Sequence, residues 1–199
     1  MSAPLSAAEQ ETLLHLARAA LVAAAAQANP PPVAAASLTP ALQARGTSFV
    51  TLTEAGRLRG CIGGLHAERA LYADVQLHAA QAALNDPRFL PVTPAEVSSI
   101  AIEISVLTEP QPLAYADSAE LPGKLRPHVD GVVLHQGQRR ATFLPQVWER
   151  VESAEQFLDL LCDKLGLRPQ AWRRAHLPVE TYQVLSFAEA QPPQPPGPA

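Results

Sequence analysis

The residues most able to do chemistry form one run, Leu58-Arg59-Gly60-Cys61-Ile62-Gly63-Gly64-Leu65. A thiolate is a nucleophile and a metal ligand, and neighbouring cations such as Arg57 and Arg59 favour it. Glycines inside a strand usually mark a bulge or a close backbone approach. Here they bracket Cys61. Missing Cβ atoms at Gly60, Gly63 and Gly64 would open the thiol and the adjacent amides to a ligand. The competing interpretation is a tight strand with a small packed cysteine, since free cysteine is often buried.

Asp86, Arg88 and Phe89 form a second candidate group. Arg88 can bind a carboxylate or phosphate bidentately. Alternatively, Asp86-Pro87 ends a helix, Phe89 staples the loop and Arg88 pairs with a nearby acid. Gln146 follows Pro145 at a strand end and is a hydrogen-bonding candidate. Glu103 alternates with isoleucines and points away from their face. His66, His128 and His135 show no metal-ligand spacing, so no metal site is expected. Cys162 sits on an apolar helix face and is expected in the core. Gly60, Gly63 and Gly64 fit no common phosphate-binding loop.

The elements that must position these groups are legible from periodicity. Ser6-Ala7-Ala8-Glu9 is a capping box, and Leu13, Leu14, Ala17, Ala20, Leu21 and Ala24 follow at helical spacing. This predicts a helix from Ala7 to Ala28, ended by Pro30-Pro31-Pro32. Val33 to Gly46 is predicted as a loop. Phe49 to Thr53 and Leu58 to Leu65 form a hairpin around Glu54-Ala55-Gly56. A helix spans Arg69 to Leu84, and Ile100 to Val106 alternates as a strand. Pro110 to Pro127 is predicted as a surface loop. A second hairpin joins Gly131–His135 to Arg140–Leu144. Ser153-Ala154-Glu155-Gln156 caps a helix that ends at Gly166, and Tyr182 to Phe187 is the last strand. Short hairpins between strand neighbours favour an α+β fold over a parallel doubly wound sheet. Residues 1–8 form an N-terminal extension. Residues 188–199 form a Pro-rich tail, of which Gln191 to Ala199 is expected to be disordered.

Composition narrows the function classes. The chain has 199 residues, a formal charge of −4 and two cysteines. That balance disfavours a nucleic-acid track. Two cysteines exclude a disulfide scaffold and a four-cysteine zinc site. The apolar run Ala19 to Ala26 is too short to span a bilayer. Glu9, Glu11 and Arg18 argue against a secretory leader, so a cytoplasmic location is expected, without membrane association.

Arg59-Gly60-Cys61-Ile62-Gly63, following Phe49-Val50-Thr51-Leu52, resembles the signature of the AMMECR family. The resemblance continues through Asn85-Asp86-Pro87-Arg88-Phe89, Leu90-Pro91-Val92-Thr93-Pro94-Ala95-Glu96 and Ile102-Glu103-Ile104-Ser105-Val106-Leu107. It resumes at Asp130-Gly131-Val132-Val133-Leu134, Ala141-Thr142-Phe143-Leu144-Pro145-Gln146-Val147-Trp148 and Phe157-Leu158-Asp159-Leu160-Leu161-Cys162. Residues 9–187 are covered, and several ordered motifs are far more specific than one. The resemblance implies an α+β fold of two subdomains with antiparallel or mixed sheets. Its bacterial branch implies membership of an AmmeMemoRadiSam system, with a MEMO-like and a radical SAM protein as partners. Gly64 departs from the pattern, since relatives commonly carry a larger residue there. No cofactor site is expected in this chain itself. Two functions stay open: cysteine-dependent chemistry at Cys61 on a small molecule or modified macromolecule, or a non-catalytic groove for a peptide or protein.

Overall fold

The computed structural model describes residues 5–190. In chain order its elements are α1 (Ala7–Ala25), α2 (Pro40–Gln43), β1 (Arg45–Glu54), β2 (Arg57–Gly63), β3 (Arg69–Ala70), α3 (Leu71–Leu84) and β4 (Ile100–Leu107). There follow β5 (Gln111–Pro112), α4 (Leu121–Lys124), β6 (Gly131–Gln136), β7 (Arg139–Phe143), α5 (Ala154–Lys164), α6 (Ala171–Arg174), β8 (Val179–Tyr182) and β9 (Val184–Ala188). The fold is α+β, built as two compact units: one runs through Leu107 and resumes at Leu185, and the other spans Thr108–Val184.

The first unit is a sheet in the order β2-β1-β4-β9, with β3 also on β1. The β1 strand is antiparallel to both β2 and β4. Strand residues alternate between faces. Val50, Leu52, Ile102 and Ile104 therefore share one face, and they join Leu13, Ala17 and Leu21 of α1 and Val75, Ala79 and Ala82 of α3 in a single core. Each fully buried leucine or isoleucine there contributes about 1.5–3 kcal/mol of apolar burial.

Serine 6 caps α1 as its sequence predicts, accepting from the Glu9 amide while Glu9 accepts from the Ser6 amide. The helix stops at Ala25, before the predicted Ala28. The Ala28 amide bonds Ala23 O at 2.8 Å and the Gln27 amide bonds Ala24 O at 3.0 Å. With Gln27 at φ 54° this is a Schellman stop, so the chain has already left the helix before the prolines. The predicted loop after it is partly helical, holding a 3₁₀ turn at Ala35–Ser37 as well as α2.

The β1–β2 turn places both Ala55 (φ 48°) and Gly56 (φ 74°) in the left-handed region. Two positive φ values suit the right-handed twist of a hairpin, but alanine adopts that region at a cost of about 1–2 kcal/mol. Ala55→Gly is expected to raise stability by about 0.5–1 kcal/mol, read as a higher urea midpoint at unchanged slope. An unchanged or lower midpoint would count against this strain.

The second unit carries a sheet in the order β5-β8-β6-β7. Its core gathers Trp148, Phe157, Leu161 and Trp172. The Trp148 ring stacks on Phe157 at 3.9 Å between centroids, and its indole N–H donates to Asp130 O at 2.7 Å. Ser153 caps α5 by accepting from Gln156 N at 3.2 Å. The reciprocal arm lands one residue early, Gln156 Oε1 accepting from Glu152 N at 2.7 Å.

Two sequence-based expectations change here. Pro110 to Pro127 is more than a surface loop, because it supplies β5, α4 and the buried Tyr115, Leu121 and Leu125. The single last strand from Tyr182 to Phe187 is really two, broken at Gln183, with β8 in one sheet and β9 in the other. The Gln183 backbone instead pairs with Thr108, donating to Oγ1 at 2.9 Å and accepting from the Thr108 amide at 2.9 Å. The Gln191 to Ala199 tail lies outside the described residues. Among the described residues no helix is long and apolar enough to cross a membrane.

Candidate functional site

Cys61 stands in β2 opposite Thr51, and Thr51 stands opposite Glu103 in β4. Directly paired residues share a sheet face. Thiol, hydroxyl and carboxyl therefore form one row on the face away from α1 and α3, with Glu103 about 10 Å from Cys61 at two strand spacings. Cys61 is partly exposed, and Thr51 Oγ1 donates to Sγ at 3.4 Å.

The loop after α3 converges on the same cysteine. Asp86 is buried and accepts from the Cys61 amide at 2.8 Å. It also grips Arg88 through three bonds: the amide at 3.1 Å, Nε at 2.9 Å and Nη2 at 2.6 Å. Arg88 Nη2 continues to the Cys61 carbonyl at 3.5 Å. The Arg88 side chain stays 54% exposed, and its guanidinium lies 5.5 Å from the centre of the Phe89 ring. The Arg88 bond, opposed by burial and aided by the two amides, holds the Asp86 carboxyl well below the usual carboxylate range. Arg88 is pushed up, first by Asp86 and then also by the Cys61 side chain. One buried carboxylate thus fixes a half-exposed guanidinium at an accessible thiol. Cys162, by contrast, is fully buried in the second unit, and burial pushes its thiol up.

Arg59 has a different task from the one its sequence position suggests. Register slips between Leu52 and Thr53, whose partners are Gly60 and Leu58, so Arg59 is the extra residue of a bulge. Its guanidinium bonds Glu96 at 2.9 Å and the carbonyls of Leu90 at 2.9 Å and Pro91 at 3.4 Å. Arg59 and Thr93 together hold the Glu96 carboxyl down to about 2. Arg59 therefore clamps the 90–96 segment, and Arg88 is the cation that the structure brings to Cys61.

The glycines also divide. A Cβ on Gly60 would lie 2.2 Å from Ala82 O, so that glycine lets α3 sit against β2. A Cβ on Gly63 would lie 2.3 Å from the Phe49 ring, which already fills the space. Of the three, only Gly64 has room for a methyl group, since every neighbour of its missing Cβ lies at 3.4 Å or beyond. Gln146 lies in the second unit, exposed on the 3₁₀ turn Pro145–Arg150. His135 pairs with Glu180 at 2.8 Å. Among the described residues no group of three His, Cys, Asp or Glu side chains could hold a metal ion.

Sequence reasoning did not single out Thr51, whose role follows only from cross-strand register. It counted His78 only as part of the inward-facing stripe of α3, with Leu71, Val75, Ala79 and Ala82, and did not single out Asp74. The available signal was an Asp and a His four residues apart on that face, at buried positions.

Two sheet-centred α+β units, one carrying a thiol, a locked arginine and a buried carboxylate, define the class of this protein. The AMMECR1 family profile matches residues 14–187, and the chain belongs to that family. A relative from Thermofilum pendens is 42% identical over 142 residues, 68% of this chain and 64% of its own. One from Methanothermobacter thermautotrophicus is 40% identical over 152 residues, covering 74% of this chain and 77% of its own. The chain thus spans a little under two thirds of the first relative's length. The crystal structure of an uncharacterised protein from Pyrococcus horikoshii superposes with a TM-score of 0.83 at 31% identity, covering 93% of each chain.

Proposed function

We propose that this AMMECR1-family protein performs cysteine-dependent chemistry at Cys61, as the component of a system that also holds a MEMO-like and a radical SAM protein. The observation that carries the chemistry is the Asp86 bridge, which bonds the Cys61 amide and fixes Arg88 beside the thiol. A guanidinium held there can bind an anionic substrate group beside the cysteine. Gly60 and Gly63 are filled from within the fold, which weakens the case for a glycine-lined peptide groove. The chain has only two cysteines, fewer than an iron–sulfur cluster requires, so radical chemistry belongs to a companion.

The test is co-purification of the tagged full chain from its native cell, then reconstitution with the recovered partners. Cys61→Ser is expected to keep fold and association while abolishing the activity of the set. Retained activity would refute the chemical role. The docking alternative is favoured by one feature, Leu90, which is 84% exposed beside Phe89. On that alternative Leu90→Ser abolishes association and Cys61→Ser changes nothing. Gly63→Val does not discriminate the two, because it collides with Phe49 whichever holds.

A further inference from the structure

Asp86 occupies only one edge of the Arg88 guanidinium, the one formed by Nε and Nη2. Nη2 also turns to the Cys61 carbonyl at 3.5 Å. Nη1 bonds no other described residue, and the side chain is 54% exposed. The Asp86 grip thus fixes the group while leaving one donor nitrogen available to a ligand. The guanidinium is also within hydrogen-bonding reach of the Cys61 side chain, one of the contacts that push Arg88 up. The other groups around the thiol are neutral. Thr51 stands opposite and donates to Sγ. Two residues along β2, about 6.6 Å away, the Phe49 ring covers Gly63.

These positions restrict what can use both groups at once. A carboxylate oxygen sits about 2.8 Å from a guanidinium nitrogen. A carbon poised for attack by sulfur sits about 3–3.5 Å from it. Thiol and guanidinium are themselves in hydrogen-bonding reach, so the carboxylate must lie close to the attacked carbon.

We propose that the Cys61 site takes a small carboxylic acid whose electrophilic carbon lies one or two bonds from its carboxylate, with Arg88 Nη1 as the anchor. This rests on the reading of Cys61 as the reacting group and adds the class of substrate. One available nitrogen suits a monoanion, whereas a phosphate dianion calls for the several donors of a phosphate loop. In the step, Sγ bonds to the carbon, the leaving group departs with its bonding electron pair and the thiol proton passes to solvent.

Alkylation of the full chain at neutral pH tests this. Iodoacetate and 3-iodopropionate carry the carboxylate one and two bonds from the attacked carbon, and 6-iodohexanoate carries it five bonds away. Each rate is divided by that of the matching neutral amide, which cancels the thiolate fraction because both reagents need the same thiolate. The ratio is then compared with that of N-acetylcysteine. Cys162 is fully buried, and peptide mass spectrometry identifies Cys61 as the labelled residue. The expected result is a ratio roughly fivefold above the free thiol for the two short acids, the scale of a charge-assisted hydrogen bond at an exposed site. For 6-iodohexanoate, and for Arg88→Gln with the short acids, the ratio should match the free thiol. If Arg88→Gln does not fold, the chain-length series on the wild type decides. The proposal is overturned by short acids that gain nothing over the free thiol, by an equal gain for the long acid, or by a gain that survives in folded Arg88→Gln. The two failures read separately. No gain, while Cys61→Ser abolishes the activity of the reconstituted set, overturns the substrate class alone. An active Cys61→Ser set overturns the chemistry on which it rests.

Discussion

Gly60→Ala is expected to lose most of the protein's stability, although it adds one methyl group. The new Cβ would stand 2.2 Å from the Ala82 carbonyl oxygen, closer than real Cβ contacts allow. Neither atom belongs to a flexible side chain, so relief requires β2 and α3 to separate. That separation would open the core between Leu52 on the sheet and Val75, Ala79 and Ala82 on the helix. Overpacking a well-packed site costs about 1–3 kcal/mol when side chains can yield. A backbone-to-backbone collision belongs at or above the top of that range. Against a total stability of about 5–15 kcal/mol the variant would be marginal or unfolded. Gly64→Ala is the matched control, because its Cβ meets nothing closer than 3.4 Å. The urea midpoint should fall sharply for Gly60→Ala and move little for Gly64→Ala. Equal midpoints would mean that α3 does not depend on the missing Cβ.

Asp86→Ala should both destabilise the first unit and release Arg88 from the thiol. The substitution leaves the Cys61 amide without its acceptor and removes the partner of the guanidinium. Breaking a buried pair costs about 3–5 kcal/mol. Arg88 is 54% exposed and can return to water, which brings the expectation down to about 2–4 kcal/mol. The pH dependence has a definite sign. The folded carboxyl titrates below its ordinary value of 3.8, so its contribution is fully present above that pH and fades as acid approaches the folded value. Wild type and variant should therefore differ most near neutrality and converge in strong acid. Urea unfolding near neutrality and in acid reads the difference, and the rate of iodoacetamide labelling of Cys61 reads the release of Arg88 from beside it. A variant with wild-type midpoint and labelling profile would show that the bridge contributes to neither.

Local chemistry was enough to place most elements. The Ser6 and Ser153 caps, the helical spacing behind them and the alternation from Ile100 to Leu107 act over one or two turns or along one strand, so they are visible in the sequence. The Arg-Gly-Cys-Ile-Gly run with the Asn85–Phe89 segment was likewise enough to indicate the family and to mark Cys61, Asp86 and Arg88. What those residues do depends on partners far along the chain. Arg59 and Arg88 are alike as cations near the cysteine, and only the bulge at Arg59 and the burial of Asp86 assign one to a clamp and the other to the thiol. Gly60, Gly63 and Gly64 are likewise interchangeable as letters. A helix carbonyl lies over the first and a ring over the second, while the third has room for a methyl group. The last strand divides at Gln183 because two separate sheets take its halves, and no periodicity within a few residues encodes that. Sequence pattern fixes what each segment can form. Contacts between residues tens of positions apart, which exist only once the sheet and α3 have packed, decide which side chains meet.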